Sequence, residues 1–147
     1  MENKIQMRFL SVPDNVSLAR VTIAALAGQA AFSLTDIDEI KVAVSEAVSN
    51  AIIHGYQGRP DGWIELTGTI DKLGLSIVVE DFGVGIADIE QARQPSFSSD
   101  PERMGLGFAF MESFMHGLYV ESTVGKGTRV EMQRLATVQG ELSRDAQ

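Results

Sequence analysis

Cysteine is absent from the 147 residues, which rules out disulfides, thiolate catalysis and thiolate metal sites together and suits a reducing cytoplasm. No apolar run approaches the length needed to cross a bilayer. Met1 to Leu10 likewise carries no leader-like apolar stretch behind its charges, so a soluble, cytoplasmic protein with no membrane partner is expected. Basic residues are few: 12 Lys and Arg stand against 20 Asp and Glu, for a formal net charge of −8. That sign opposes a grip on nucleic-acid phosphates, and direct DNA or RNA binding is not expected. A protein partner or a small ligand in a local basic pocket stays open, because net charge governs solubility and non-specific association rather than sites. No repeat or internal boundary is visible, so residues 1–136 are expected to form one domain with its own core and 137–147 a polar, frayed tail.

Apolar alternation predicts an opening strand from Ile5 to Val12. Pro13-Asp14-Asn15 breaks it and offers an N-cap to a helix over about Val16 to Ala31, with Leu18, Val21, Ile23, Ala24 and Leu26 as its apolar face. Ser33 and Thr35 are candidate caps for a second helix that runs to Gly55. Turn residues at 57–62 precede two strands, Trp63 to Ile70 and Leu75 to Glu80, joined as a hairpin. A short helix from about Ala87 to Arg93 ends before Pro95, and Gln94 to Met104 reads as a mobile loop. Gly105-Leu106-Gly107 then leads into a helix stopped by Gly117, and strands Leu118 to Ser122 and Thr128 to Leu135 flank the turn Gly125-Lys126-Gly127. The expected architecture is α/β (α+β), a two-layer sandwich whose mixed, mostly antiparallel sheet is covered on one face by helices.

The second helix holds the most informative stretch. Val44, Ala47, Val48, Ala51 and Ile52 recur at the steps that make one buried face, while Glu46, Asn50 and His54 form a separate polar row four residues apart. Asn disfavours helix interiors, so Asn50 in mid-helix wants a reason. Asp81-Phe82-Gly83-Val84-Gly85 puts an acceptor-only carboxylate at a strand end, followed by glycines that allow backbone to approach a ligand. Gly105-Leu106-Gly107 ahead of a helix offers free amides and the positive dipole end to phosphate oxygens, with Arg103 near enough to add a charged fork. Gly125-Lys126-Gly127-Thr128 places a hydroxyl at the start of the last strand. Each motif alone also reads as an ordinary turn or hinge. Their order along one chain is what points to a nucleotide site.

In that order the motifs resemble the Bergerat-type ATP-binding fold shared by gyrase, the Hsp90 chaperones, histidine kinases and the MutL repair proteins. More narrowly, Ser45-Glu46-Ala47-Val48-Ser49-Asn50-Ala51-Ile52-Ile53-His54-Gly55-Tyr56, with Ser17-Leu18-Ala19-Arg20-Val21 before it and Met111-Glu112-Ser113-Phe114-Met115 after it, is similar to the anti-sigma F factors of spore-forming bacteria. The resemblance implies an ATP-dependent serine protein kinase that holds a sporulation sigma factor (sigma F) inactive and phosphorylates an anti-anti-sigma protein, acting as a homodimer. It implies that Asn50 ligates Mg²⁺, Glu46 is the general base, and Asp81 and Thr128 read adenine of ATP or ADP with Gly83 and Gly85 beside them. Gly105, Leu106, Gly107 and Arg103 would hold phosphates under the 94–104 lid, and Arg20 would meet the partner. His54 stays open between phosphate contact and a capping or packing role. Two departures from the family pattern stand out: the chain between Glu102 and Gly105 looks about two residues shorter, and His116 stands where an acidic residue is commoner. A general-stress anti-sigma kinase and a nucleotide-gated module without kinase activity remain the alternatives. A histidine autokinase is disfavoured, since no helix pair bearing a histidine precedes the domain. Leu10, Val12 and Ile23 are candidate interface residues.

Overall fold

The structure is a computed structural model that describes residues 2–94 and 104–136. Residues 95–103, with Arg103 and most of the expected lid, and the expected tail at 137–147 lie outside the described residues. Chain order is β1 (Asn3–Leu10), α1 (Asp14–Ala27), α2 (Leu34–Asn50), β2 (Trp63–Ile70), β3 (Gly74–Asp81), α3 (Ile89–Ala92), α4 (Met104–Phe114), β4 (Gly117–Thr123) and β5 (Gly127–Leu135). A π-helical turn, Ala51–Gly55, continues α2.

The five strands lie in the order β1-β2-β3-β5-β4, and every neighbouring pair is antiparallel. After β3 the chain leaves the sheet for α3 and α4, returns as the edge strand β4, and only then supplies β5 between β3 and β4. Alternation does what a half-buried sheet requires. Ile64, Leu66, Ile70, Ile77, Val79, Val130 and Met132 turn inward and join one core with Ile23, Leu26, Ile40, Val44, Val48, Phe108 and Met111 of the helices. α1 and α4 each pack on α2, which makes α2 the middle of the helical layer. The expected two-layer sandwich is what forms, with a sheet that is antiparallel throughout.

Several details differ from the pattern reading. α1 starts at Asp14, and its buried stripe is Ala19, Ile23, Leu26 and Ala27. Leu18 and Val21 are 47% and 60% exposed, because a helix set in that register turns them to the far side. Asn15 does not cap it; its side-chain amide donates to the Leu10 carbonyl at 2.8 Å. Ile23 is fully buried and so cannot serve an interface, unlike Leu10, which is exposed. His116 is exposed yet docked: its Nδ1 accepts from the Leu135 amide at 2.9 Å, and Gly117 begins β4 rather than merely ending α4.

α2 begins with a full capping box. The Ser33 hydroxyl accepts from the Asp36 amide at 3.0 Å and the Asp36 carboxylate accepts from the Ser33 amide at 2.9 Å. Thr35 lies exposed within the first turn and is not the cap. Asp36 also receives a guanidinium bond from buried Arg134 at 2.6 Å, and Arg134 reaches Glu39 at 2.8 Å and the Phe114 carbonyl at the end of α4. One arginine of β5 thereby locks the start of α2 and the end of α4 onto the sheet. Burial works against the Asp36 charge, but the Ser33 bonds and Arg134 outweigh it and hold its carboxyl below the usual range. Arg134→Ala is expected to lower the unfolding free energy by about 3 kcal/mol, as breaking a buried pair does. Because a depressed carboxyl stabilises above its unfolded pKa and ceases to as pH falls through the folded one, the deficit should shrink in acid. Denaturant titrations at neutral and acid pH measure both effects.

Candidate functional site

A cleft of about 350 Å³ opens where the end of α2, the exit of β3, the α3 segment, the start of α4 and the start of β5 converge. Asn50, His54, Asp81, Gly85 and Thr128 all line it, as do Gly55 and Phe108. Five residues singled out from separate motifs thus meet in one place. Glu46, Gly105, Leu106 and Gly107 are not part of its wall but lie in the helices that form it, and Gly83 lies in the segment that leaves β3.

Asp81 is 7% exposed. Burial raises its carboxyl pKa to about 6, with partial relief from the backbone amides of Gly83 and Thr128. The Gly83 amide donates to its Oδ1 at 3.0 Å. The carboxylate sits on the π turn: a Cβ on Gly55 would stand 2.7 Å from Asp81 Cγ. Gly83 crosses so closely that a Cβ there would strike the Gly55 carbonyl, and the Val84 amide donates to that same carbonyl at 2.9 Å. The Asp-x-Gly-x-Gly glycines therefore serve backbone-on-backbone contact first. Only Gly85 also faces the cleft.

The π turn has a part in this crossing. The Tyr56 amide bonds back to the Ala51 carbonyl at 2.9 Å, which widens the helix end before the chain leaves. The Tyr56 hydroxyl then donates to the Trp63 carbonyl and accepts from the Phe82 amide at 2.8 Å. These two groups would form the next rung beyond the Ile64 and Asp81 pair. The hydroxyl stands in for that rung and lets β3 peel away from β2 over Gly55.

At the other end of the cleft, the Asn50 Nδ2 is buried and finds no hydrogen-bond partner among the described residues. An unpaired buried amide costs about 1–3 kcal/mol unless something supplies the bond. Glu46 lies one turn earlier, half-buried, with its pKa raised by desolvation. A Cβ on Gly107 would approach Glu46 Oε2 to 2.9 Å and the Asn50 amide to 3.4 Å. Glycine there keeps open the space in front of both side chains. Gly105, Leu106 and Gly107 fall in the first turn of α4 and not ahead of it; their amides still belong to the end of a helix that lacks intrahelical partners. Thr128, the second residue of β5, lies opposite Asp81. Its hydroxyl lies 2.8 Å from the Ser122 hydroxyl.

Sequence reasoning missed Gly55, Tyr56, Phe108 and Ser122. Ser122 carried a readable signal, since a hydroxyl follows Leu118 and Val120 on the inward side of β4. Arg20 lies apart from the cleft: its guanidinium donates to Ser45 Oγ at 3.2 Å, and it shares a shallow depression with Asp38, Lys41, Val42, Ser45 and Glu46. No helix among the described residues is long and apolar enough to cross a membrane.

The chain is similar to known proteins over most of its length. Residues 9–134 match the model of the histidine kinase-like ATPase domain family. The anti-sigma F factor of Clostridium acetobutylicum is 46% identical over 136 residues, 91% of this chain and 94% of that protein. The anti-sigma F factor of a Geobacillus species is 44% identical over 139 residues, 93% and 95% of the two chains. Among solved structures, the RsbU and RsbW domains of a Mycobacterium tuberculosis protein superpose with a TM-score of 0.62 at 19% identity, over 90% of this chain and 32% of that one. The histidine kinase domain of an Erythrobacter litoralis light-activated kinase gives 0.57 at 21% identity, over 89% and 64%. At those identities the structures share the fold.

Asp81 gives this site a thermodynamic signature. Its folded pKa of about 6 lies above the ordinary 3.8, so between those values the folded state holds more protons than the unfolded. Its contribution is full below the lower value and lost as pH rises through the higher. The ligand-free protein should forfeit up to about 3 kcal/mol across that window. Asp81→Asn should remove this component, seen as the difference between the two proteins' stability curves against pH.

Proposed function

The chain belongs to the anti-sigma F factor family, built on the histidine kinase-like ATPase domain, and from that premise we propose an anti-sigma factor that is also a serine protein kinase. It sequesters a sporulation sigma factor of the sigma F type in the cytoplasm and, as a homodimer, uses ATP to phosphorylate a serine of its anti-anti-sigma antagonist. The observation that carries this reading is the meeting, in one cleft, of a buried acceptor at Asp81 with the side-chain amide of Asn50, unpaired among the described residues, while the desolvated carboxylate of Glu46 lies one turn earlier on the same helix.

Asp81 and Thr128 then accept from the adenine end of the nucleotide. The first-turn amides of Gly105, Leu106 and Gly107 face the phosphates with the helix dipole behind them, His54 lines the same wall, and Arg103 remains a candidate phosphate ligand. Asn50 is the side chain that would hold Mg²⁺, through its Oδ1, and glycine at 107 keeps a Cβ out of the space before Glu46 and Asn50. Among the described residues no group of three or more His, Cys, Asp or Glu side chains could hold a metal, so such an ion would draw its remaining ligands from phosphate and water. When bound, Mg²⁺ supplies charge neutralisation at the phosphates.

Glu46 takes the proton of the seryl hydroxyl as that oxygen bonds to the γ-phosphorus and the bond to ADP breaks. Desolvation raises its pKa toward working pH, which improves it as a base. The shallow depression joining Arg20 to Glu46 supports the remaining role. A partner gripped by Arg20 is brought beside the base.

Glu46→Gln should leave ATP affinity within about threefold and cut phosphoryl transfer to the anti-anti-sigma protein by about a hundredfold or more. Labelled ATP with the purified partner measures transfer, and equilibrium dialysis measures affinity. Full turnover in the variant would remove Glu46 from the mechanism. Sigma binding without any transfer by the unsubstituted chain would reduce the protein to a sequestering module. Arg20→Ala should weaken partner binding about tenfold, the scale of one exposed-to-interface arginine anchor, with the ATP affinity unchanged.

A further inference from the structure

We propose that Ser122 is a positioning residue that sets the hydrogen-bond polarity of Thr128 and through it the preference of the cleft for a 6-amino over a 6-oxo purine. The inference rests on the adenine-nucleotide reading of the cleft. It follows from counting protons at one oxygen. Ser122 Oγ has three polar neighbours: the Ile86 amide at 2.7 Å, the Gly127 carbonyl at 3.0 Å and the Thr128 hydroxyl at 2.8 Å. An amide can only donate and a carbonyl can only accept. With the single Ser122 proton directed to the Gly127 carbonyl, the one neighbour of the three that can only accept, its lone pairs are left to receive the Ile86 amide and the Thr128 hydroxyl.

Thr128 has one proton, and Ser122 takes it. What Thr128 presents to the cleft is then lone pairs alone. Asp81 lies opposite it in the β3 and β5 ladder and is likewise an acceptor when ionised. Two acceptors side by side suit an exocyclic amine, which has two N–H groups to give. They oppose a 6-oxo group, which has none. Neither side chain alone fixes that preference, because a free threonine hydroxyl would rotate to donate to an oxo group. Ser122 also holds the Ile86 amide, so the segment that lines the cleft after Gly85 is anchored to the same oxygen.

The test is the ratio of dissociation constants for ITP and ATP, which differ in a 6-oxo group with a proton on N1 in place of a 6-amine beside a bare N1, measured calorimetrically with Mg²⁺ on the full chain. The unsubstituted protein should favour ATP. Ser122→Ala should bind ATP about tenfold more weakly and ITP no more weakly, so the ratio falls about tenfold, the scale of one directed hydrogen bond. Ser122→Thr, which keeps the hydroxyl, should hold the ratio within about twofold. A merely structural role would weaken both nucleotides alike and leave the ratio in place. That result in Ser122→Ala, with ATP preferred by the unsubstituted chain, overturns the role of Ser122 alone. No preference for ATP in the unsubstituted chain overturns the adenine reading itself and the inference with it.

Discussion

The crossing of the β3 exit over the last turn of the α2 helix is the contact on which the site depends. Asp81 lies against Gly55 with no room for a single carbon, and Gly83 rests on the Gly55 carbonyl. Such an approach needs two things that ordinary secondary structure does not provide. The helix must widen, which the π turn at Ala51–Gly55 does, and the strand must part from its neighbour without abandoning polar groups, which the Tyr56 hydroxyl achieves by bridging Trp63 and Phe82. The outcome is a carboxylate taken out of water and aimed into a cleft. Its raised pKa records the cost of that placement.

α2 carries this constraint to the rest of the molecule. Its buried face, Ile40, Ala43, Val44, Ala47 and Val48, is packed beneath α1 and α4. Along its other face come Ser45, which holds Arg20, then Glu46, then Asn50, and finally the turn that meets Asp81. One rigid helix thereby spaces the arginine proposed to meet the partner, the carboxylate proposed as base and the acceptor at the base of the cleft. Rigidity at its N-terminal end comes from the capping box and the buried Arg134 pair, far from the cleft. A buried ion pair stabilises little relative to an apolar core of equal volume. Here it fixes which end of α2 meets which strand.

Much of this was legible in the residues. Alternation in the opening stretch and apolar runs bounded by turn residues elsewhere identified all five strands, since an antiparallel sheet joined by short turns leaves both marks in the sequence. Asn50 stood out because it opposes helix propensity, and the structure leaves its amide buried and unpaired among the described residues. Other features left weaker marks. A π turn shifts hydrogen bonds by one residue and needs no special composition, so Ala51–Gly55 read as plain helix. Leu18 and Val21 are apolar in a helix yet exposed, because an apolar residue carries no label for the face it takes. Gly83 read as a ligand cradle, whereas the atom it makes room for is the Gly55 carbonyl. The Ser122 hub joins β4, β5 and the chain after β3, a meeting of three segments that local pattern does not encode.

The central claim is that Asp81 receives a donor from an adenine nucleotide. The measurement that tests it most directly is the pH titration of the Asp81 side-chain carboxyl by ¹³C NMR, with and without Mg·ATP. Ligand-free protein should titrate near pH 6. Donation from the adenine amine stabilises the carboxylate, so ATP should shift that midpoint down toward the ordinary range. An unchanged midpoint at saturating ATP would contradict the account, because the nucleotide would then be bound without reaching the carboxylate that the fold is built to present.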